Sequence, residues 1–147
     1  MKLKNEKNIE YEFFDVTADV GFKSYGTTLE EAYENASKAM FNVISNTDNV
    51  EAEISKNIEI TSEDEVSLLY DYLDELLFLS ETELLLFSSF NITIEKEQNK
   101  MKLNAHVKGE YMDWDKHQRG SEVKAVTYHL MTVKKEEKYI TQVILDL

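Results

Sequence analysis

Cysteine and proline are absent from this 147-residue chain, and histidine occurs three times, at His106, His117 and His129. Without a thiol there is no disulfide, no thiolate zinc site, no iron–sulfur ligation and no cysteine nucleophile. Three scattered histidines do not support a His-rich metal centre. The four glycines, Gly21, Gly26, Gly109 and Gly120, are dispersed, so no stretch has the composition of a linker. No repeat appears at a period of about 20 to 50 residues. Long apolar runs are missing too. Leu76 to Leu79 and Leu84 to Phe87 are the longest, far short of the roughly 20 residues that span a bilayer. The lysines of the first eight residues are followed by no apolar stretch, so a cytoplasmic protein with no membrane partner is expected. Basic side chains are also scarce: 16 against 29 acidic ones, a net charge of −13. A surface this negative repels phosphates, and direct stable nucleic-acid binding is not expected.

What is present is a folding chain. With 42% apolar and 31% charged residues the composition is globular rather than disordered, and a chain of this length buries roughly 70% of its unfolded surface. One domain over 1–147 is the expectation. Tyr11 to Asp15 reads as a short aromatic strand, and Val20 to Gly26 as its partner around a turn. Thr28 with Glu31 forms a capping-box pattern. Apolar residues at 29, 32, 33, 36, 39, 40, 43 and 44 then make one helical face that ends at Asn46 or Asn49. Ile54, Ile58 and Ile60 alternate as a half-buried strand. Ser62 with Glu65 opens a second helix to about Leu79, buried on more than one side because Leu68, Tyr72 and Leu79 fall off its main stripe. Strands follow over Leu84–Ile94 and Met101–Val107, then a hairpin of Val123–Val133 with Tyr139–Leu147. This order predicts an α+β fold: a two-layer sandwich of mostly antiparallel sheet with two amphipathic helices.

Several features bear on chemistry. Between Asn57 and Glu95 there are acidic residues but no lysine or arginine, a run that reads either as a solvated helix face or as a docking surface for a basic protein. Asp113, Asp115 and His117 alternate in a loop that could curl around a cation, with Trp114 beside them as a surface aromatic. His129, on a predicted strand, reads as a hydrogen-bonded structural histidine or as a base. No Walker loop, HExxH or GxGxxG pattern is present, and no nucleophile triad is ordered in the chain. Asp19 lies at the turn after the first strand, Asp146 is the penultimate residue, and Leu147 carries the α-carboxylate. If the last strand neighbours the first turn, three carboxylates meet there, an arrangement that a hard divalent cation would relieve.

The segments Tyr11-Glu-Phe-Phe-Asp-Val-Thr-Ala-Asp-Val-Gly-Phe22 with Tyr25-Gly26 and Thr28-Leu-Glu-Glu-Ala32, Leu69-Tyr-Asp-Tyr-Leu-Asp-Glu-Leu-Leu77, Glu122-Val-Lys-Ala-Val-Thr-Tyr-His129 and Val143-Ile-Leu-Asp-Leu147 together resemble the archease family. The resemblance covers nearly the whole chain. It implies a non-catalytic accessory protein of RNA ligation that assists an RtcB-type ligase in tRNA splicing and RNA repair, promoting guanylylation of the ligase by GTP and multiple turnover. It implies a metal site on Asp19, Asp146 and Leu147, with calcium as the expected ion and magnesium or manganese as alternatives. Lys124 lies inside one signature, as a neutraliser of the acids, a phosphate contact or a plain ion-pair partner. Two positions depart from the family: Val16 stands where histidine is common before Thr-Ala-Asp, and Trp114 where proline is frequent. A role for that histidine therefore does not carry over. Two other functions remain open on the residues alone, a metal-dependent phosphohydrolase and an acidic chaperone-like scaffold.

Overall fold

The computed structural model describes residues 9–147; the lysines of the first eight lie outside the described residues. Strands β1 (Tyr11–Val16) and β2 (Asp19–Gly26) form an antiparallel hairpin whose two-residue loop is Thr17-Ala18. Helix α1 (Leu29–Ile44) begins where the cap pattern placed it: the Thr28 hydroxyl accepts the Glu31 amide at 3.1 Å. The Glu31 carboxylate reaches one residue further back than expected and accepts the Thr27 amide at 2.6 Å. The face formed by Ala32, Tyr33, Ala36, Met40 and Phe41 is buried, as the 3.6-residue period demands.

Strand β3 (Ile54–Ser62) leads into helix α2 (Glu65–Glu83). Its cap is Asp64 rather than Ser62. Ser62 is still in the strand, and its hydroxyl donates to Asp71 at 2.6 Å. Asp64 instead accepts the Ser67 amide at 2.8 Å, while its own amide donates to the Ser67 hydroxyl, a reciprocal pair that satisfies two orphan donors. The helix also runs past Leu79 to Glu83, because nothing in Ser80-Glu-Thr-Glu breaks it. It stops at Leu84, which takes the left-handed conformation (φ 56°).

Strands β4 (Leu85–Glu97) and β5 (Lys100–Tyr111) then pair about Gln98-Asn99, and β6 (Ala125–Lys135) pairs with β7 (Tyr139–Asp146). Two antiparallel sheets result, β1-β2-β7-β6 and β3-β5-β4. Each helix touches both: α1 packs on β2, β7 and β4, and α2 on β3, β4, β5 and β6. The α+β sandwich is the one expected, and α2 is indeed buried on several sides, through Leu68, Leu69, Tyr72, Leu73 and Leu76. Phe41 meets Phe87 edge to face at 5.6 Å in a core where each large side chain contributes about 1.5–3 kcal/mol by leaving water. Polar groups that enter the core are paired. Ser24 bonds Thr141 at 2.5 Å, and Tyr72 bonds Ser37 at 2.7 Å. Edge strand β4 is partly covered by α1, whose Glu34 accepts the Ile92 amide at 2.9 Å and so occupies one donor of the free ladder edge. No helix among the described residues is long and apolar enough to cross a membrane.

Candidate metal centre

The β1–β2 hairpin turns on Ala18, which takes a positive φ of 65° at a position that glycine or asparagine usually fills. The turn sets Val16 opposite Asp19. On the other side of β2, Asp19 pairs with Asp146 of β7, and Asp146 pairs in turn with Ala125 of β6. One row therefore crosses the sheet at its end: Val16, Asp19, Asp146, Ala125. Because side chains alternate faces along a strand, and Phe22, Val143 and Leu145 point into the core, Asp19 and Asp146 project together from the opposite face.

Leu147 completes the group. Its amide donates to the Asp19 carboxylate at 3.5 Å, and its side chain packs against the core. That apolar anchor holds the last residue beside Asp19 instead of letting it fray into water. On the adjoining row, Gly21 leaves room for the Phe14 ring: a Cβ there would lie 2.4 Å from ring carbons. The next residue in that row, Ile144, is buried, so the carboxylates are flanked by apolar surface.

Directly opposed residues have Cβ atoms roughly 5 Å apart. Two carboxylates at about that distance repel by about 1 kcal/mol in water and about 3 kcal/mol at a protein-surface dielectric of about 20. Among the described residues no lysine or arginine forms an ion pair with Asp19 or Asp146. Lys124 lies next to them through its backbone, whose amide donates to the Asp146 carbonyl at 2.7 Å, and its side chain is not part of an ion pair there. An all-oxygen donor set of this kind fits a hard cation such as calcium, magnesium or manganese. Val16 brings an apolar side chain to the one position in the row from which an imidazole would face Asp19.

The loop after β5 is organised differently from a curled cation site. The Asp113 amide donates to His117 Nδ1 at 3.0 Å, and His117 Nε2 lies 2.9 Å from Glu110. With Nδ1 accepting, the proton sits on Nε2 and is donated to the carboxylate. Asp113 accepts the Asp115 amide at 3.0 Å. The Asp113 and His117 side chains are thus engaged by the loop's own hydrogen bonds, and Asp115 joins them through its backbone amide. Glu110 also accepts the Glu51 amide at 2.8 Å and the Lys116 ammonium at 2.9 Å. The Glu51 amide first, then His117 and Lys116, hold its carboxyl down to about 2. Glu51, Glu53 and Glu110 approach one another closely enough to share an ion, a long-range grouping that no sequence spacing announces. Lys116 already lies 3.4 Å from Glu51. His129, read as a hydrogen-bonded structural histidine or a base, is exposed: β6 bulges away from β7 between Thr127 and Thr132 and carries it outward.

The chain matches the model of the Archease protein family (MTH1598/TM1083) over residues 11–147. It is 51% identical over 138 residues to the protein archease of Methanothermobacter thermautotrophicus, covering 93% of this chain and 98% of that one. It is 39% identical over 140 residues to the protein archease of Pyrococcus furiosus, covering 94% and 99%. The solution structure of Methanobacterium thermoautotrophicum protein 1598 superposes with a TM-score of 0.85 at 50% identity, over 94% of this chain and 99% of that one. Fold, sequence and the ordered signature segments agree, and the chain belongs to the archease family.

Proposed function

We propose that this protein is a non-catalytic, cytoplasmic activator of an RtcB-type RNA ligase, acting through a divalent cation held by Asp19, Asp146 and the Leu147 α-carboxylate. Family membership supports the accessory role. The observation that carries the site is the cross-strand pairing of Asp19 with Asp146, with Leu147 closing onto Asp19. Guanylylation of a ligase by GTP builds negative charge on phosphates, and a divalent ion near them stabilises that charge. When bound, calcium or a similar ion supplies that electrostatic chemistry. The chain's own residues hold it at the tip of a sheet, with the Leu147 side chain fixing the last donor. Docking is transient in this reading, since a permanent complex would block RNA and prevent turnover. The protein's negative charge is consistent with work on the ligase rather than on RNA directly.

The test is a ligation assay with limiting ligase. Wild-type protein restores multiple turnover in tRNA splicing or RNA repair substrates, and Asp146→Ala does not. Equal activity of Asp146→Ala would overturn the cation tip. A short extension after Leu147 is a second probe, because it displaces only the α-carboxylate. Calcium affinity measured by calorimetry should fall in that extended protein, and unchanged affinity removes Leu147 from the ligand set.

A further inference from the structure

Helix α2 has a second distinctive flank, away from the carboxylate row. Tyr70 stacks on Tyr128 of β6 with ring centroids 3.9 Å apart and planes 14° from parallel. Tyr128 is nevertheless 53% exposed, and Leu130 beside it is 58% exposed. Both are pushed out by the β6 bulge: Thr127 pairs with Ile144 and Thr132 with Gln142, leaving Tyr128 to Met131 opposite Val143 alone. Leu130 holds a left-handed backbone (φ 55°), a costly conformation for a branched apolar residue, and the Gln142 side-chain amide donates to its carbonyl at 2.8 Å.

The same flank continues toward the end of α2. Tyr70 and Leu77, seven residues apart, lie in one helical row, and Leu84 follows just beyond the helix end. Leu77 and Leu84, with Met112, Trp114 and Val123, wall a cavity of about 410 Å³. The charges around this row are mostly acidic, with Lys56 paired to Glu83 at the end of the helix. Asp74 and Glu81 interleave with it at four-residue steps, Asp64 and Asp71 lie near Tyr128, and Glu122 also lines the cavity. The cation at the cavity is Arg119, and its guanidinium lies over the Trp114 ring, 4.9 Å from the centroid.

We propose that the cavity at the end of α2, together with the Tyr70–Tyr128 stack along the same flank, forms a groove that docks a basic, apolar-anchored segment of a partner protein, with an arginine or lysine on the stack beside Asp71 and Asp74 and an apolar side chain in the cavity beside Leu84. Charge complementarity selects this occupant. The aspartates repel nucleic-acid phosphates, whereas a guanidinium gains both the tyrosine face and the carboxylates. An apolar side chain alone would fill the cavity without using the acids. The groove is separate from the carboxylate row, so failure of one proposal leaves the other standing.

The probe is a synthetic peptide of alternating arginine and leucine, titrated into the labelled protein by NMR and by fluorescence anisotropy. Amide shifts should concentrate on Tyr70, Asp74, Leu77, Tyr128 and Leu130. Tyr128→Ala should weaken binding roughly fivefold, the scale of one lost exposed cation–π contact. Tyr128→Phe keeps the ring and should bind as wild type, which separates loss of the stack from loss of the fold. Asp74→Asn should weaken binding by about twofold to threefold, and Glu95→Gln, elsewhere in the acidic run, should change nothing. Equal losses from Asp74→Asn and Glu95→Gln, or shifts spread over the whole acidic surface, overturn the groove. So does tighter binding of a single-stranded RNA oligonucleotide at the same residues, or undiminished binding of a peptide with glutamine in place of arginine.

Discussion

Replacing Glu110 by glutamine removes one negative charge from a carboxylate that three donors share. In the native state that group accepts from the Glu51 amide, from His117 and from Lys116, at 2.8 to 2.9 Å, and its pKa is lowered to about 2 from 4.5. A difference of that size corresponds to at most about 3 kcal/mol of stability at neutral pH. The Glu110 side chain is only 12% exposed, but its partner Lys116 is 41% exposed, and solvent screens that pair. An effect of about 1–2 kcal/mol is the reasonable expectation. For a domain of this size it lowers Tm by roughly 2–8 °C. The sign of the pH dependence follows from the depressed value. The native contribution is complete above the unfolded carboxyl's pKa and is lost as pH falls from there toward about 2. Urea unfolding by circular dichroism should therefore show wild type above Glu110→Gln by a gap that is constant from pH 7 to pH 5.5 and narrows steadily below that. A gap of the same size at pH 3 as at pH 7 would mean that the variant is destabilised by packing or by a misplaced amide, and the charge argument would be refuted. No gap at pH 7 would mean that water serves His117 and Lys116 as well as Glu110 does.

Two further outcomes follow from local geometry. Asp146→Asn should stabilise the cation-free protein by about 1 kcal/mol, since it removes repulsion from Asp19, and should abolish the gain of several degrees in Tm that the proposed site predicts for the wild type in saturating calcium; scanning calorimetry with calcium and with EDTA reads both, and a calcium gain retained in Asp146→Asn would sink the site. Leu84→Gly should raise stability by about 0.5–1 kcal/mol in denaturant melts, because Leu84 caps α2 at φ 56° with an exposed side chain and glycine takes that conformation without strain; a loss of stability would show that Leu84 contributes more by packing over the cavity than it costs in strain.

Much of this fold was legible because local signals and tertiary needs agree. The face of α1 follows from its period, and the Thr28 cap from one hydroxyl and one amide. The start of α2 was misplaced because Ser62-x-x-Glu65 and Asp64-x-x-Ser67 overlap, and only the extent of β3 decides between them. The β6 bulge left no mark in the sequence. Val126 and Tyr128 alternate as in a regular strand, and the irregularity appears only against the register of β7. Loop residues were the least legible. Asp113, Asp115 and His117 have the spacing of ligands, yet the hydrogen-bonding demand of an irregular backbone claims the Asp113 and His117 side chains first. The grouping of Glu51 with Glu110 depends on where β5 ends relative to the turn before β3, which no periodicity encodes.

The carboxylate row shows why a site can be guessed from residue types and still need a fold to exist. Asp19 and Asp146 lie at opposite ends of the sequence, and neither is distinctive among so many acids. What makes them a pair is that β2 and β7 are neighbours with a register that matches the start of one to the end of the other. A slip of one residue would send one carboxylate to the core face and abolish the pair. Buried Phe22, Val143 and Leu145 on the inner face oppose such a slip, because it would exchange them with outward residues at a cost of about 1.5–3 kcal/mol for each large side chain exposed. The core therefore fixes the row through strand register and through the Leu147 side chain that packs against it. That arrangement explains how Val16 can occupy a row with two aspartates while the fold stays intact: the position affects which donors face Asp19, not whether Asp19 and Asp146 meet. The acidity of the chain divides in a similar way. Asp19 and Asp146 are brought together by strand register, Glu110 is held by Lys116, His117 and the Glu51 amide, and Asp71 and Asp74 of α2 lie near the Tyr70–Tyr128 stack.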